Sequence, residues 1–438
     1  MIRKVFNYSG IDGLKRDLLA LKDSDDLKNV KNMYFQIYST VLDEEKLQPI
    51  FDTLTEIFPD VPWMGNSTSG NIIDSEQAGD IVITATLFQD FSTEFRLFQY
   101  DMQKMSIDEI SQDVLEQAKN NPWVKGVEIY YTISNVSTTR FCDALKELAP
   151  GIQVFGGIVC SPDLMSPNSF VFSSVGGLCR SGILVAFFGG INFYVNSIKI
   201  SGWQPLGRTF RVTRASGNIV YELDGRPAFE VYHKYLSIAN DENFFMNALE
   251  FPMLYEHNKT TIVRAPAECR FDGSLVMSSD VDVGSVVHIS YGEPNTIVEC
   301  ISEESKKIDR FYPEVIHIFD CAARKAFWSS HEPTYEIYAL KKIAPNNGFF
   351  SHGEFLREEG CLNQHNITLV MAGMREGEPH VNGRQWSQLL DEQSTPKIPL
   401  AARMATFIKE ASKDLEDTNR KLQQMNERLQ KMAGEKEN

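Results

Sequence analysis

The sequence holds no cluster of basic residues, no Cys-x-x-Cys pair and no apolar stretch long enough to cross a bilayer, and each absence removes a class of function. With 43 Lys plus Arg against 59 Asp plus Glu, the formal charge of −16 repels a phosphate backbone, so nucleic-acid binding is not expected. The seven cysteines, Cys142, Cys160, Cys179, Cys269, Cys300, Cys321 and Cys361, are odd in number and scattered. They suggest neither a disulfide framework nor a structural zinc site, and they fit a reducing compartment, the cytoplasm. The longest apolar run, 182–190, is about half of the roughly 20 residues that a spanning helix needs, and it reads as a buried strand. No membrane span is expected. Residues 1–10 turn polar at Asn7 and lack the apolar core of a secretory signal. A phosphate-binding Gly-x-x-x-x-Gly-Lys-Ser/Thr loop, a His-Glu-x-x-His pair, an acidic Ca²⁺ loop and a Gly-x-Ser-x-Gly elbow are all missing. Cys321 has no assigned base, so no catalytic residue is expected and the chain reads as a non-enzyme.

What is present is a unit that occurs three times. A strand-like stretch, Met33 to Tyr38, precedes an amphipathic helix pattern (Leu47, Ile50, Phe51, Leu54, Ile57, Phe58), then Pro59, a second apolar piece and Gly65-Asn66-Ser67-Thr68-Ser69-Gly70. The order recurs from Val127 to Tyr131, through a helix ending 145–150, to Val154-Phe155-Gly156-Gly157. A third copy runs from Val315 to Phe319, through a helix ending 340–345, to Gly348 to Glu354. Each copy has the form of a βαβ crossover, whose right-handedness lays the helix on one face of a mainly parallel sheet. Strand ends then gather on one edge, where glycines let a ligand approach the backbone.

Between the second and third copies, 173–224 is β-branched and aromatic with paired glycines, the texture of an antiparallel meander. Leu223 to Ala228 predicts a hairpin that starts a helix over 228–236, with Pro227 in the first turn. Strands resume over 261–291, and a helix is predicted over 297–310. The fold class is therefore α/β of mixed α+β character: crossover units with mixed, partly antiparallel sheets.

Several stretches taken in order resemble the FIST family of sensory domains, in both its N-terminal and C-terminal parts. They are 65–70, Val154 to Gly157, Gly202-Trp203-Gln204-Pro205-Leu206-Gly207, the hairpin 220–228, Cys321-Ala322-Ala323-Arg324, and 348–354. The Trp-x-Pro-x-Gly and Leu-Asp-Gly-x-Pro-Ala stretches are the most specific. The resemblance implies a FIST N-terminal domain over 1–222 and a C-terminal domain over 223–385, followed by a linker over 386–400 and a coiled-coil helix over 401–438. It implies a cytoplasmic signal-input domain that binds a small ligand such as an amino acid, fused to an output module such as a GGDEF diguanylate cyclase or a histidine kinase. Part of the family binds haem and senses nitric oxide. Asn66 and 69–71 depart from the family's usual first glycine motif, which shifts weight to the third copy.

That copy concentrates chemistry. Asp320, Cys321 and Arg324 stand at the end of one strand, and Phe350, Ser351, His352 and Glu354 follow the other. An α-amino acid needs a cation for its carboxylate and an anion for its ammonium: Arg324 offers a planar fork, and Glu354 or Asp320 an acceptor. The alternative is that Arg324 and Glu354 pair with each other or with solvent. Ser67, Thr68, Gly156 and Gly157 complete the candidate ligand site from the other two tips. No cofactor or metal is expected, with His352 as an axial haem ligand the alternative. His317, between Ile316 and Ile318, reads as a satisfied core histidine. An enzyme built on the strand ends is the rival function class.

After Pro396 and Pro399 the pattern turns helical. Ala401, Met404, Ile408, Ala411, Leu415, Leu422, Met425, Leu429 and Met432 fall in steps of three and four, interrupted at Thr418, the seam of a coiled coil. A parallel homodimer is expected, and the stretch 419–429 resembles linkers that precede an output enzyme, so the chain reads as the sensory part of a longer polypeptide.

Overall fold

A computed structural model describes residues 1–133, 137–163, 166–328 and 336–378, and in the tail 404, 408, 412, 413, 415 and 417–427. The chain up to 376 is three versions of one unit. The first comprises β1 (Ile2–Asn7), α1 (Ile11–Lys22), β2 (Asn32–Ser39), α2 (Glu44–Ile57), β3 (Trp63–Ser67), the short pair β4 (Asn71–Ile73) and β5 (Glu76–Gln77), and β6 (Ile81–Phe88). The second repeats this order: β7 (Glu94–Asp101), α3 (Ile107–Asn120), β8 (Val124–Thr132), α4 (Thr139–Leu145), β9 (Gln153–Val159), β10 (Val171–Ser173), β11 (Gly177–Cys179) and β12 (Gly182–Gly189).

The third unit opens with β13 (Phe193–Ile200) and is then interrupted. The insertion comprises β14 (Trp203–Ser216), β15 (Ile219–Leu223), β16 (Arg226–Pro227), α5 (Ala228–Leu236), α6 (Phe244–Leu249), β17 (Met253–His257), β18 (Thr260–Arg264), β19 (Pro266–Cys269), β20 (Leu275–Met277) and β21 (Val286–Gly292). The unit resumes with α7 (Pro294–Phe311), β22 (Val315–Cys321), α8 (Ala322–Trp328), β23 (Asn346–Ser351), β24 (Gly353–Glu358), β25 (Cys361–His365) and β26 (Leu369–Glu376). The expected boundary at 222/223 falls inside this inserted sheet, within β15.

Among the described residues the strands of the insertion form a sheet of their own, and those of the three units form three sheets of identical topology: β1-β6-β2-β3-β10-β11, β7-β12-β8-β9-β24-β25 and β13-β26-β22-β23-β4-β5. In each, one central pair is parallel (β2/β3, β8/β9, β22/β23) and its flanking strands run antiparallel. The three expected crossovers are these parallel pairs. The last two strands of each sheet come from another unit, so the units exchange strands in a ring and none can complete its sheet alone.

The helices cover the outer faces. Leu47, Ile50, Phe51, Leu54, Ile57 and Phe58 of the predicted amphipathic stripe are all buried against the first sheet, with equivalent outer cores over the second and third. The inner faces of all three sheets meet in one further core that includes Tyr38, Tyr130, Phe155, Phe319 and Phe349. On this shared axis sit Gln36, Glu128 and His317, equivalent in register because each directly precedes the strand residue that opposes Gly65, Gly156 or Gly348. A Cβ at any of these three glycines would overlap the carbonyl oxygen of Ile37, Ile129 or Ile318, so the recurring glycine is a packing requirement of the parallel pair.

Three expectations change. The stretch 173–224 is no meander: β12 enters the second sheet between β7 and β8, β13 pairs β26, and β14 and β15 belong to the insertion. Antiparallel partners remote in sequence give a strand the same residue texture as local ones do. The helix of the second copy ends at Leu145, because the carbonyls of Lys146, Leu148, Ala149 and Ile152 turn outward to the Arg357 guanidinium. In the third copy the described helix is Ala322–Trp328, and 338–342 is a 3-10 turn instead of a helix end. The hairpin at 223–226 and the helix from Ala228 are as expected, with Asp224 and Gly225 both at positive φ (51° and 74°), the backbone of a type I′ turn.

The described tail residues are helical, and the seam residues Met404, Ile408, Leu415, Leu422 and Met425 are exposed, by 46% to 62%. The linker 386–400 and the seam positions Ala401, Ala411, Leu429 and Met432 lie outside the described residues. Among the described residues no helix is long and apolar enough to cross a membrane.

Candidate functional site at the interlocked strand tips

The three glycine-bearing tips converge. The chain leaving β3 crosses at 68–70 to lie beside β23, where Phe350 N donates to the Gly70 carbonyl at 2.9 Å. The chain leaving β23 crosses to lie beside β9, placing Glu354 opposite Gly157, and His352 N donates to the Ile158 carbonyl at 2.8 Å. The chain leaving β9 returns to β3, where Phe170 N donates to Ser67 Oγ at 3.0 Å. Carboxyl ends of parallel strands thus meet at one end of the axis, the edge at which open α/β sheets hold ligands.

Of the sequence-nominated residues, Ser67, Thr68, Gly156 and Gly157 are structural parts of this interlock. Thr68 Oγ1 donates to Asn71 Oδ1 at 2.7 Å and accepts from Gly70 N at 3.0 Å. Gly157 keeps its strand clear of Ser351, Phe319 and Phe349.

Arg324 is fully buried and its fork is filled, though not by Glu354. Nε donates to both Glu336 oxygens at 3.0 and 2.9 Å, Nη2 pairs with Glu336, and Nη1 donates to the Ser201 and Ile367 carbonyls at 2.7 and 3.1 Å. The expected free fork for a ligand carboxylate is therefore corrected: burial this deep demanded an internal counter-ion, which Glu336 supplies. Glu354 accepts instead from Ser351 Oγ and Thr368 Oγ1, both at 2.7 Å. Desolvation raises its carboxyl to about 8 against the pull of those hydrogen bonds and of Arg324.

Asp320 differs from both. It is 0% exposed, and its carboxyl shares a hydrogen bond with that of Glu336. Burial, then the charges of Glu336 and Glu354, push its carboxyl well above the usual range. Lys325, the next residue after Arg324, is half-buried and reaches the same corner. Its Nζ donates to the Ser69 carbonyl at 3.2 Å and lies 4.8 Å from the centre of the Phe350 ring, and desolvation lowers its ammonium. The Ser69 hydroxyl is buried against the Cys160 thiol, with which it hydrogen-bonds.

The thiols here are not poised for attack. Burial lifts Cys160 to about 12, and burial with the Glu354 charge lifts Cys321 well above its ordinary value. His352 carries a neutral imidazole, lowered by burial. The surrounding donor set does not suit haem: propionates need cations, and this tip gathers three carboxyl groups around an Arg324 that is already paired. Among the described residues no group of His, Cys, Asp and Glu is placed to hold a metal ion. His317 is the satisfied core histidine expected, its Nδ1 2.9 Å from Glu128 Oε2.

Sequence reasoning missed Lys325, Ser69, Glu336 and Thr368. Lys325 and Ser69 adjoin nominated residues and were within reach of the same argument. Glu336 and Thr368 lie in stretches that carry no glycine turn, and only the fold brings them in.

Residues 35–226 match the sequence model of the FIST N domain, and 228–357 that of the FIST C domain. The first match runs through the first two units into the insertion, and the second ends within β24. The chain is also similar to the uncharacterized protein MJ1623 of Methanocaldococcus jannaschii, 22% identical over 362 residues, which cover 76% of this chain and 69% of that protein.

Proposed function

Because the chain belongs to the FIST family, in both its N and C domains, whose members serve as sensory domains, we propose that it is a cytoplasmic signal-input module. In this reading it binds a small molecule at the third tip and passes the event to an output partner through its C-terminal helix. The observation that carries the reading is the gathering of three buried carboxyl groups, Asp320, Glu336 and Glu354, beside one guanidinium and the half-buried Lys325 at the carboxyl ends of the strands. Folding alone does not reward such an excess of buried acid. An amino acid has suitable chemistry: its carboxylate meets Lys325, the role first given to Arg324, and its ammonium meets the carboxyl groups. With both nearby thiols held protonated, turnover has no evident nucleophile, and the module acts without catalysis.

Output runs through the tail. Its exposed seam residues would be covered in a parallel homodimer, and ligand-driven movement at the tips would reach an enzyme such as a diguanylate cyclase or a histidine kinase as a change in helix register. Thermal-shift screening with amino acids and small metabolites tests the ligand reading. Saturable stabilisation that Lys325→Ala weakens at least tenfold supports it, and a flat response to every compound refutes it. For the dimer, light scattering on the Leu415→Asp, Leu422→Asp variant should read one chain where the wild type reads two.

A further inference from the structure

The third tip leaves the two most specific family-like stretches without a part in ligand binding. One of them anchors the insertion: Trp203 Nε1 donates to the Ile367 carbonyl at 3.0 Å, an oxygen that Arg324 Nη1 also reaches. The other, the hairpin turn Leu223 to Ala228, helps to wall a cleft. Together with β14 and α5 it encloses about 630 Å³ on the insertion, within the size range of small-molecule sites.

The floor of this cleft is apolar, since Phe210, Leu223 and Val231 are all buried. From α5 come two further rings, Phe229 and Tyr235, the second 48% exposed and edge-on to Phe210 at 5.6 Å. The rim is charged. Asp224 accepts from Arg208 Nη2 at 2.8 Å and, through its other oxygen, from Arg211 N at 2.9 Å, which pins the Arg208 guanidinium 4.5 Å from the centre of the Phe210 ring. Lys234 Nζ lies 5.2 Å from the centre of the Tyr235 ring. Neither Arg226 nor Lys234 makes an ion pair among the described residues, and with Asp224 spent on Arg208 only Glu230 of the lining is left to set against them. Arg208, Arg226 and Lys234 are spread along the chain and gather only where the hairpin meets α5. In a protein of net charge −16 such a rim attracts what the rest of the surface repels.

We propose that this cleft is a second ligand site, separate from the third tip, for a small anion that carries an aromatic ring. The ring covers the apolar floor and edges Tyr235, and the anionic group meets Arg226 and Lys234. Arg208 and Lys234 already sit over aromatic faces and stack on an added ring in the same manner. Because Asp224 holds Arg208 in place, little side-chain freedom is lost when a ligand arrives. No bond is made or broken and no proton moves. The site shares no residue with the third tip, so it stands or falls apart from the receptor reading above.

Isothermal titration of the full chain tests this with indoleacetate, indoleacetamide, tryptamine, acetate and adenosine monophosphate. Saturable binding is expected for an aromatic anion, with indoleacetate and the nucleotide separating a carboxylate from a phosphate source. The uncharged amide, the cation and the ringless acetate should bind at least about tenfold more weakly, the loss of one charge-assisted contact or of the buried ring. Arg226→Glu with Lys234→Glu alters two exposed side chains, so the melting temperature should hold while affinity falls by about tenfold or more. Lys325→Ala should leave this binding unchanged. The amide series is read on the wild type, so the test survives a variant that fails to fold. Equal binding of indoleacetate and its amide, binding indifferent to the charge reversal, or no binding by either aromatic anion overturns the proposal. Binding that Lys325→Ala abolishes also overturns it, and moves the ligand to the third tip.

Discussion

His317 Nδ1 lies 2.9 Å from a carboxylate oxygen of Glu128, both side chains 0% exposed, joining the third unit to the second across the axis all three units share. Gln36, the equivalent residue of the first unit, donates to the other Glu128 oxygen at 3.2 Å, and Tyr130 donates to it at 2.6 Å. The polar centre is therefore a three-way contact in which each unit contributes the residue at one register position.

Breaking that contact from one side should be costly. His317→Leu strands the Glu128 charge in the core and is expected to lose about 3–5 kcal/mol, whereas Glu128→Leu with His317→Leu should lose much less, because no buried charge remains. Urea denaturation of the two variants gives the comparison. Equal losses would mean the pair holds the units together by shape rather than by charge.

The three equivalent glycines predict three equivalent failures. Gly65→Ala, Gly156→Ala and Gly348→Ala each drive a methyl into a strand carbonyl, and each should cost about 3 kcal/mol or more or prevent folding. Gly79→Ala, where an added Cβ meets nothing within 4 Å, should stay within about 0.5 kcal/mol of wild type. Thermal melts of the four proteins suffice.

Arg324 and its neighbour Lys325 should separate stability from binding. Arg324→Ala leaves Glu336 buried and unpaired, with an expected loss of about 3–5 kcal/mol. Lys325→Ala removes a half-exposed side chain bonded to one carbonyl, and is expected to leave the melting temperature near that of wild type while ligand-induced stabilisation falls. Fluorimetry with and without ligand reads both effects.

Glu354 makes the free protein sensitive to alkali. Its folded-state carboxyl is raised to about 8, above its value of about 4.3 in the unfolded chain. The native state then holds a proton that the unfolded state has lost, so this contribution is fully present below the unfolded value and disappears as pH rises through 8. The slope is at most about 1.4 kcal/mol per pH unit for one group. Glu354→Gln, neutral at every pH, should flatten the fall in stability between pH 5 and 8 in chemical denaturation. An unchanged slope would assign the sensitivity to other groups, Asp320 first.

Much of this architecture was readable along the chain. The first crossover showed itself through the spacing of Leu47, Ile50, Phe51, Leu54, Ile57 and Phe58 ahead of Pro59, and each crossover through the glycine on its second strand, because helix amphipathicity and the steric demand of a parallel pair act over a few residues. The same holds for the hairpin at Asp224 and Gly225. Misreadings arose where the partner was remote. Residues 173–224 looked like a local meander because a strand's composition records that it is half-buried in a sheet, not which strand pairs with it. Arg324 looked free because its counter-ion, Glu336, is held by burial and not by a motif.

By itself, then, the sequence determined the repeated unit, its helix faces and its glycine positions, since these follow from local sterics and periodicity. The tertiary structure alone decided that the units exchange strands in a ring, that Gln36, Glu128 and His317 share one axis, and that Arg324 is spent on Glu336 while Lys325 stays half-exposed. Which charge finds a partner depends on distances between segments far apart in the chain, and closing those distances is what folding does.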